Sequence, residues 1–341
     1  MLDFVRQFAR KELLPRAGDW EREVIFPREV FRKLAQAGLM TMLVGQEYGG
    51  LGLNRSQVVE LLEELATGCY AVAAYTAVNN MVASLLQQFG SESQKNYYLP
   101  ALCRGEIFGA FALTEPGAGS DAQSLRTKAV KTGDGYRLEG QKVFISGGGE
   151  AGLYLVFART EAGITAFIVE AGMPGFRLGR KERKLGVEAI PTRELFFEGV
   201  LVPQAQVLGQ LGAGFAYAVQ DLAGGRLNIA AISVGLARAA LEQVLPLVSE
   251  PSQRLADLYI GVEAARALVR QAAAAVDAGA DATLEAAAAK TFATDTAVTV
   301  TSAAVELAGI TGVRADLALE RFFRQAKLAS LWRGLTRFND C

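Results

Sequence analysis

The chain has 341 residues, 51% of them hydrophobic and 21% charged, with a net charge of −1. That length is enough for two or three compact cores, the balance is globular, and a near-zero charge with scattered Lys and Arg excludes a nucleic-acid-binding field. Histidine is absent altogether, which excludes histidine triads and histidine-ligated zinc or iron and leaves proton transfer to carboxylates, Lys, Tyr, Cys or a cofactor.

From the N-terminus, Met1-Leu2-Asp3-Phe4-Val5-Arg6 lacks a charged stretch followed by an apolar one, so no signal peptide is expected. No apolar run approaches the ~18–20 residues that span a bilayer, and a cytoplasmic protein is expected. Leu2, Val5, Phe8, Ala9 and Leu13 recur at spacings of three and four and predict an amphipathic helix. The string Tyr48-Gly49-Gly50-Leu51-Gly52-Leu53 predicts a loop. Ser91 and Gln94 form a capping-box pattern that opens a further helix. Residues 1–106 therefore read as a helical domain.

From 107 to 210 the period shortens. Thr127 to Lys131 alternates, Gly133-Asp134-Gly135 signals a hairpin, and Tyr136 to Glu139 resumes the alternation. Tyr154 to Phe157, Thr165 to Val169 and Leu195 to Phe197 are further strands, with nothing between them long enough for a crossover helix. A central antiparallel β domain follows, a sandwich or barrel. Residues 211–341 return to helices rich in alanine. Leu255, Leu258, Val262, Ala265 and Leu268 make one stripe, while Ala274 to Ala304 carries few charges and requires burial on several sides, as in a helical bundle that also contacts other subunits. The fold class is α+β, in the order helical, β, helical. Cys69, Cys103 and Cys341 fit neither a disulfide framework nor zinc spacing.

The densest chemical signal is Leu113-Thr114-Glu115-Pro116-Gly117-Ala118-Gly119-Ser120-Asp121. Gly117 and Gly119 allow close approach of a ligand and unusual backbone angles, and Thr114 and Ser120 add hydroxyls. This string resembles the flavin-binding signature of the acyl-CoA dehydrogenase family. Glu47 to Leu53 is similar to that family's EYGGLGL loop, and Gly140 to Ser146 to its GxKxWIT strand with Phe144 for Trp. Phe197 to Pro203 resembles FxxVxVP, and Gly224-Gly225-Arg226 looks like the opening of the family's first C-terminal helix. The resemblance covers nearly the whole chain.

It implies FAD, lined by Phe111, Leu113, Thr114, Gly119 and Ser120 and covered by Phe144, Ile145 and Ser146. It implies an acyl-CoA or acyl-carrier thioester as substrate, contacted by Ser120, Arg226, Trp332 and Gly334. Family chemistry takes the α-proton with a carboxylate and passes the β-hydrogen to the flavin as hydride. A dimer or tetramer and an electron-transfer partner are implied as well.

Three departures stand against this pattern. The family's YEGT motif, whose Glu is the base, reads Trp332-Arg333-Gly334-Leu335, and the alternative seat for a base, just before the helix arginine, is Gly225. A guanidinium accepts no proton. Arg333 can stabilise an enolate or an anionic group, and its backbone N–H can still serve a thioester carbonyl. Asp221, four residues before Gly225 and on the same helix face, is a candidate substitute base. The family's RxxFG segment, which caps the flavin of a neighbouring subunit, is missing from the shorter stretch between Glu242 and Leu255, and its QxxGGxG loop reads Glu306 to Gly312, with an acid that would repel a pyrophosphate. Three functions follow as expectations. One is an acyl-CoA dehydrogenase with a non-standard base. The second is an eroded partner subunit that forms a hetero-oligomer with a paralogue. The third is a flavin-dependent oxygenase, desulfinase or decarboxylase that needs no such base.

Overall fold

A computed structural model describes residues 1–249 and 252–331. The N-terminal stripe forms α1 (Leu2–Phe8), which widens into a π-helical turn at Ala9–Leu13, and Val5, Phe8, Ala9 and Leu13 are buried while Leu2 is exposed. Helices α2 (Ala17–Arg22) and α3 (Arg28–Gln36) follow, and the glycine string is a loop with Gly49 and Gly52 at positive φ. Helix α4 (Arg55–Gly68) starts from a capping box between Asn54 and Gln57 that the sequence reading passed over. Helix α5 (Tyr70–Phe89) precedes α6 (Glu92–Cys103), which opens on the expected Ser91–Gln94 box.

The strands are β1 (Gly109–Ala112), β2 (Lys128–Thr132), β3 (Gly135–Ser146), β4 (Leu153–Thr160), β5 (Gly163–Glu170), β6 (Phe176–Lys181), β7 (Thr192–Pro203) and β8 (Val207–Leu208). They form one sheet in the order β6-β7-β3-β2-β4-β5-β8, with β1 beside β4. Inward residues such as Ala110, Leu138, Val156, Phe167, Leu195 and Val200 share one core, so the sheet curls around its own interior. The expected antiparallel pairing holds with two exceptions, since β1–β4 and the single β2–β4 link are parallel. A loop and the β2–β3 hairpin carry the chain from β1 to β4, so the parallel pair needs no crossover helix. The outer face of β4 (Leu153, Leu155, Phe157) packs on Val82, Leu85 and Leu86 of α5 and Leu99 of α6. Burial on both faces explains why β4 reads as a continuous apolar run.

Helices α7 (Gly214–Val244), α8 (Gln253–Asp277), α9 (Thr283–Leu307) and α10 (Leu319–Leu331) join the N-terminal helices in a single core that includes Leu34, Leu62, Leu227, Leu236, Val262 and Phe322. Buried Glu63 and Glu64 of α4 lock the layers together. Glu63 accepts from Arg238 at 2.9 Å and Arg266 at 2.9 Å, and Glu64 from Arg238 at 2.8 Å and Arg6 at 3.1 Å.

Two expectations change at α7. The stretch Gly214–Leu247 is long and apolar enough to cross a membrane by length and composition, with a mean hydropathy of 1.3, although no such run stood out in the sequence. Its most apolar window is 67% buried within the molecule, as befits the central helix of a bundle. Gly224-Gly225-Arg226 was expected to open this helix and instead lies inside it. A Cβ at Gly224 would stand 2.6 Å from Arg55 Nη2, and one at Gly225 would stand 3.2 Å from the Met81 sulfur. These glycines serve close packing against α4 and α5, a use that outweighs their cost of ~1 kcal/mol each in a helix interior.

Candidate active site

The string Leu113 to Asp121 leaves the end of β1 and turns tightly, with Glu115 and Ala118 exchanging two backbone hydrogen bonds of 3.1 Å each. Glu115 holds the turn from within. Its carboxylate accepts from the Arg126 N–H at 2.6 Å, the Thr127 N–H at 2.9 Å and Lys142 Nζ at 2.7 Å. Lys142 is fully buried on β3 and donates also to the Leu113 carbonyl at 2.9 Å. Burial pushes the Lys142 ammonium down to about 8 against the pull of Glu115. Glu115, whose own burial works the other way, is held below its usual range by the charge and hydrogen bonds of Lys142. A buried charge pair with every contact made is a structural clamp, and neither partner was singled out in the sequence because buried charges leave no periodic trace.

Above the clamp the surface is open. No atom lies within 4 Å of a Cβ built on Gly117 or Gly119. Neither glycine has a positive φ, so the expected unusual backbone angles are absent and the absence of side chains is what the string contributes. Among the described residues the hydroxyls of Thr114, Ser120 and Ser146 have no hydrogen-bond partner. The Val143 N–H donates to the Thr114 carbonyl at 2.9 Å, which brings the end of β3 alongside the loop. There β3 loses register with β7 between Lys142 and Ile145, and Phe144 sits in that bulge at φ 57°, with its side chain 64% exposed. A non-glycine residue at positive φ is strained, and such strain gathers at functional sites. Of the other residues expected around a flavin, Phe111 is half-buried and packs on Phe157 at 5.0 Å. Leu113 and Ile145 are buried, the latter in the interior core of the sheet, so only its backbone faces outward.

The second cluster lies on α7, where residues 221, 224, 225 and 228 share a face. Asp221 is 7% exposed, and its Oδ2 has no hydrogen-bond partner. Burial raises its carboxyl to about 7, with Arg55 of α4 pulling the other way. Arg55 lies along this face and donates to Asn228 Oδ1 at 3.2 Å, while its Nε is buried and also unpartnered. Its backbone N–H and that of Ser56 donate to Asp277 at 2.7 and 2.9 Å. Arg55 and Asn228 escaped the sequence reading, since only the packing of α4 on α7 brings them beside Asp221. Arg226 is half-buried without a hydrogen-bond or ion-pair partner among the described residues, and burial lowers its guanidinium. It lies inside α7 rather than at the start of the helix. Trp332, Arg333 and Gly334 lie outside the described residues. Glu306 is paired with Arg254 and accepts from Ser302 Oγ at 3.3 Å, so the expected repulsion of a pyrophosphate is offset by a neighbouring cation.

The family models for the N-terminal, middle and C-terminal domains of acyl-CoA dehydrogenase match residues 1–106, 110–200 and 212–337. An acyl-CoA dehydrogenase of Bacillus subtilis is 40% identical over 353 residues, covering 98% of this chain and 93% of the relative. The mitochondrial isobutyryl-CoA dehydrogenase of Bos taurus is 38% identical over 345 residues, covering 96% of this chain and 83% of the relative. The solved structure of butyryl-CoA dehydrogenase from Megasphaera elsdenii superposes with a TM-score of 0.93 at 36% identity, covering 98% of this chain and 93% of the other.

Proposed function

The chain belongs to the acyl-CoA dehydrogenase family, and from that premise we propose that it oxidises a short acyl-CoA thioester across Cα–Cβ with FAD as hydride acceptor. The relatives named for isobutyryl-CoA and butyryl-CoA suggest the short acyl chain. The observation that carries the reading is the open cradle over the Glu115–Lys142 clamp: uncovered Gly117 and Gly119, unpartnered hydroxyls at Thr114, Ser120 and Ser146, and the exposed ring of Phe144. These groups fit a flavin, which needs hydrogen-bond donors at one edge and apolar cover over its ring. When bound, FAD supplies the two-electron redox step.

The chain's own residues bind, orient and exclude water. Phe111 and Leu113 line the cofactor, the Gly119 backbone and the Thr114 and Ser120 hydroxyls hold it, and Phe144, the Ile145 backbone and Ser146 cover it. Ser120 and Arg226 meet the thioester; the family resemblance extends the same role to Trp332 and Gly334, which lie outside the described residues. Unpartnered and half-buried, Arg226 has a guanidinium available for an anionic or carbonyl group. Reducing equivalents leave through an electron-transfer protein.

Two measurements test this. The purified chain should be yellow, and anaerobic addition of butyryl-CoA or isobutyryl-CoA should bleach its flavin absorbance. A yellow protein that no acyl-CoA bleaches would exclude dehydrogenation. One observation favours a second reading, a subunit completed by a paralogue: Gly225 and Arg333 leave both family seats for a base without a carboxylate. A colourless protein that turns yellow only with a co-expressed paralogue would favour that reading.

A further inference from the structure

We propose that the cavity between the C-terminal half of α6 and the starts of β1 and β4 binds an alkylammonium group, with Glu170 as its counter-ion. The cavity holds about 560 Å³, and Tyr97, Tyr98, Pro100, Ile107, Leu153 and Glu170 are among the residues that line it. It is separate from the flavin cradle. Strand β1 pairs with β4 from Gly109–Leu153 to Ala112–Val156, and the cavity lies at the Leu153 end, while the string Leu113 to Asp121 leaves from the other. Four residues of extended chain put roughly 13 Å between the two.

The lining is rich in acceptors and short of cations. Glu170 ends β5 and is half-buried. Its Oε1 accepts from Tyr98 Oη at 2.5 Å and from Gln206 Nε2 at 3.1 Å, while its Oε2 and its charge have no partner among the described residues. A carboxylate partly withdrawn from water is costly without a counter-ion. Tyr98 spends its proton on Glu170 and accepts from Gln206 at 3.1 Å. Burial and the bond to Glu170 raise the phenol, so it stays neutral and Glu170 is the charged member. Pro100 lies inside α6 and has no N–H, so the carbonyl of Asn96, one turn earlier, lacks its helical donor. Both residues line the cavity, and the C-terminus of α6 adds the negative end of a helix dipole. Arg104, the one cation in the lining, is engaged by Glu106 through two hydrogen bonds of 2.6 and 3.0 Å. Pro100, Ile107 and Leu153 supply an apolar wall. Unused acceptors beside an apolar wall suit an ammonium on an aliphatic stem, and the exposed ring of Tyr97 suits the same charge.

The test is calorimetric titration of the full chain with n-pentylamine, with n-pentanol as the uncharged control. Pentylamine should bind saturably at neutral pH, and pentanol should not. Glu170→Gln keeps the size of the side chain and removes its charge, and it should weaken pentylamine by about 10–100-fold. Should that variant fail to fold, Ile107→Lys decides, since it sets the chain's own ammonium in the cavity and should block pentylamine. A lysine capped as its N-acetyl methylamide separates the two sources of such a group. Binding as tight as that of pentylamine assigns the site to a lysine side chain of a partner protein, and exclusion of the capped lysine assigns it to a free amine. No saturable binding of pentylamine, equal binding of pentanol, or wild-type affinity in Glu170→Gln overturns the proposal. So does binding that appears only in Arg104→Ala, because Arg104 would then be the counter-ion of Glu170. The dehydrogenase reading stands or falls separately, by the bleaching of the flavin.

Discussion

Burying a carboxyl without a partner for one oxygen affects folding as well as chemistry. Asp221 is raised from the usual aspartate range to about 7, so the folded chain binds its proton more tightly than the unfolded chain does. The stability this gives is fully present below the unfolded pKa of roughly 4 and is lost as pH rises through about 7. Asp221→Asn should therefore stabilise the protein by a few kcal/mol at pH ~8 and by almost nothing at pH ~4. Urea unfolding of both chains across that range checks the sign, and an increment independent of pH would show that the group does not titrate.

At the scale of elements, the flavin-loop string is held by what lies beneath it. Lys142→Met would leave the Glu115 carboxylate buried without its cation, and breaking one side of such a pair costs about 3–5 kcal/mol. The expected result is a lower melting temperature together with weakened FAD retention, read from flavin absorbance after gel filtration. An unchanged melting temperature would mean that the backbone donors of Arg126 and Thr127 suffice. This clamp marks the limit of the sequence reading. The Ser91–Gln94 cap, the Gly133–Gly135 hairpin and the α1 stripe were legible because each is a local pattern with one physical cause. The parallel β1–β4 pair, the Glu115–Lys142 bond and the Arg55 contact to α7 join residues far apart in sequence, and no period announces them. The glycines of the string leave the open space that close approach of a ligand requires, without a positive φ, while those of α7 lie inside the helix rather than at its start. Open space at Gly117 and Gly119 and close packing at Gly224 and Gly225, rather than special torsions or a helix start, are what they provide.

For the whole molecule, the N-terminal and C-terminal helices share one core, yet α8 and α9 leave an apolar face outside it. Tyr259 and Ile260 are 59% and 61% exposed, and Leu284 and Phe292 56% and 42%. Beside them runs a groove of about 550 Å³ lined by Leu258, Gly261, Leu268, Ala288, Phe292 and Val300. An apolar patch of this kind marks an interface more often than free surface. A ridge at Tyr259–Ile260 next to a groove on the same helix pair is the self-complementary arrangement that a two-fold contact uses, each copy's ridge entering the other's groove. It also answers the need for burial on several sides that the alanine-rich sequence implied. Sedimentation of the wild-type chain should therefore give a multiple of 36.3 kDa. Ile260→Glu with Phe292→Glu should yield a smaller species of unchanged helical content, because two charges would be buried in the contact without partners. Should the wild type sediment as a monomer and dimerise only with a paralogue, the same face would serve a hetero-oligomer, and the double substitution should abolish that association instead. A double variant that assembles like the wild type would place the subunit contact elsewhere, and the exposed ridge on α8 would then need a different occupant.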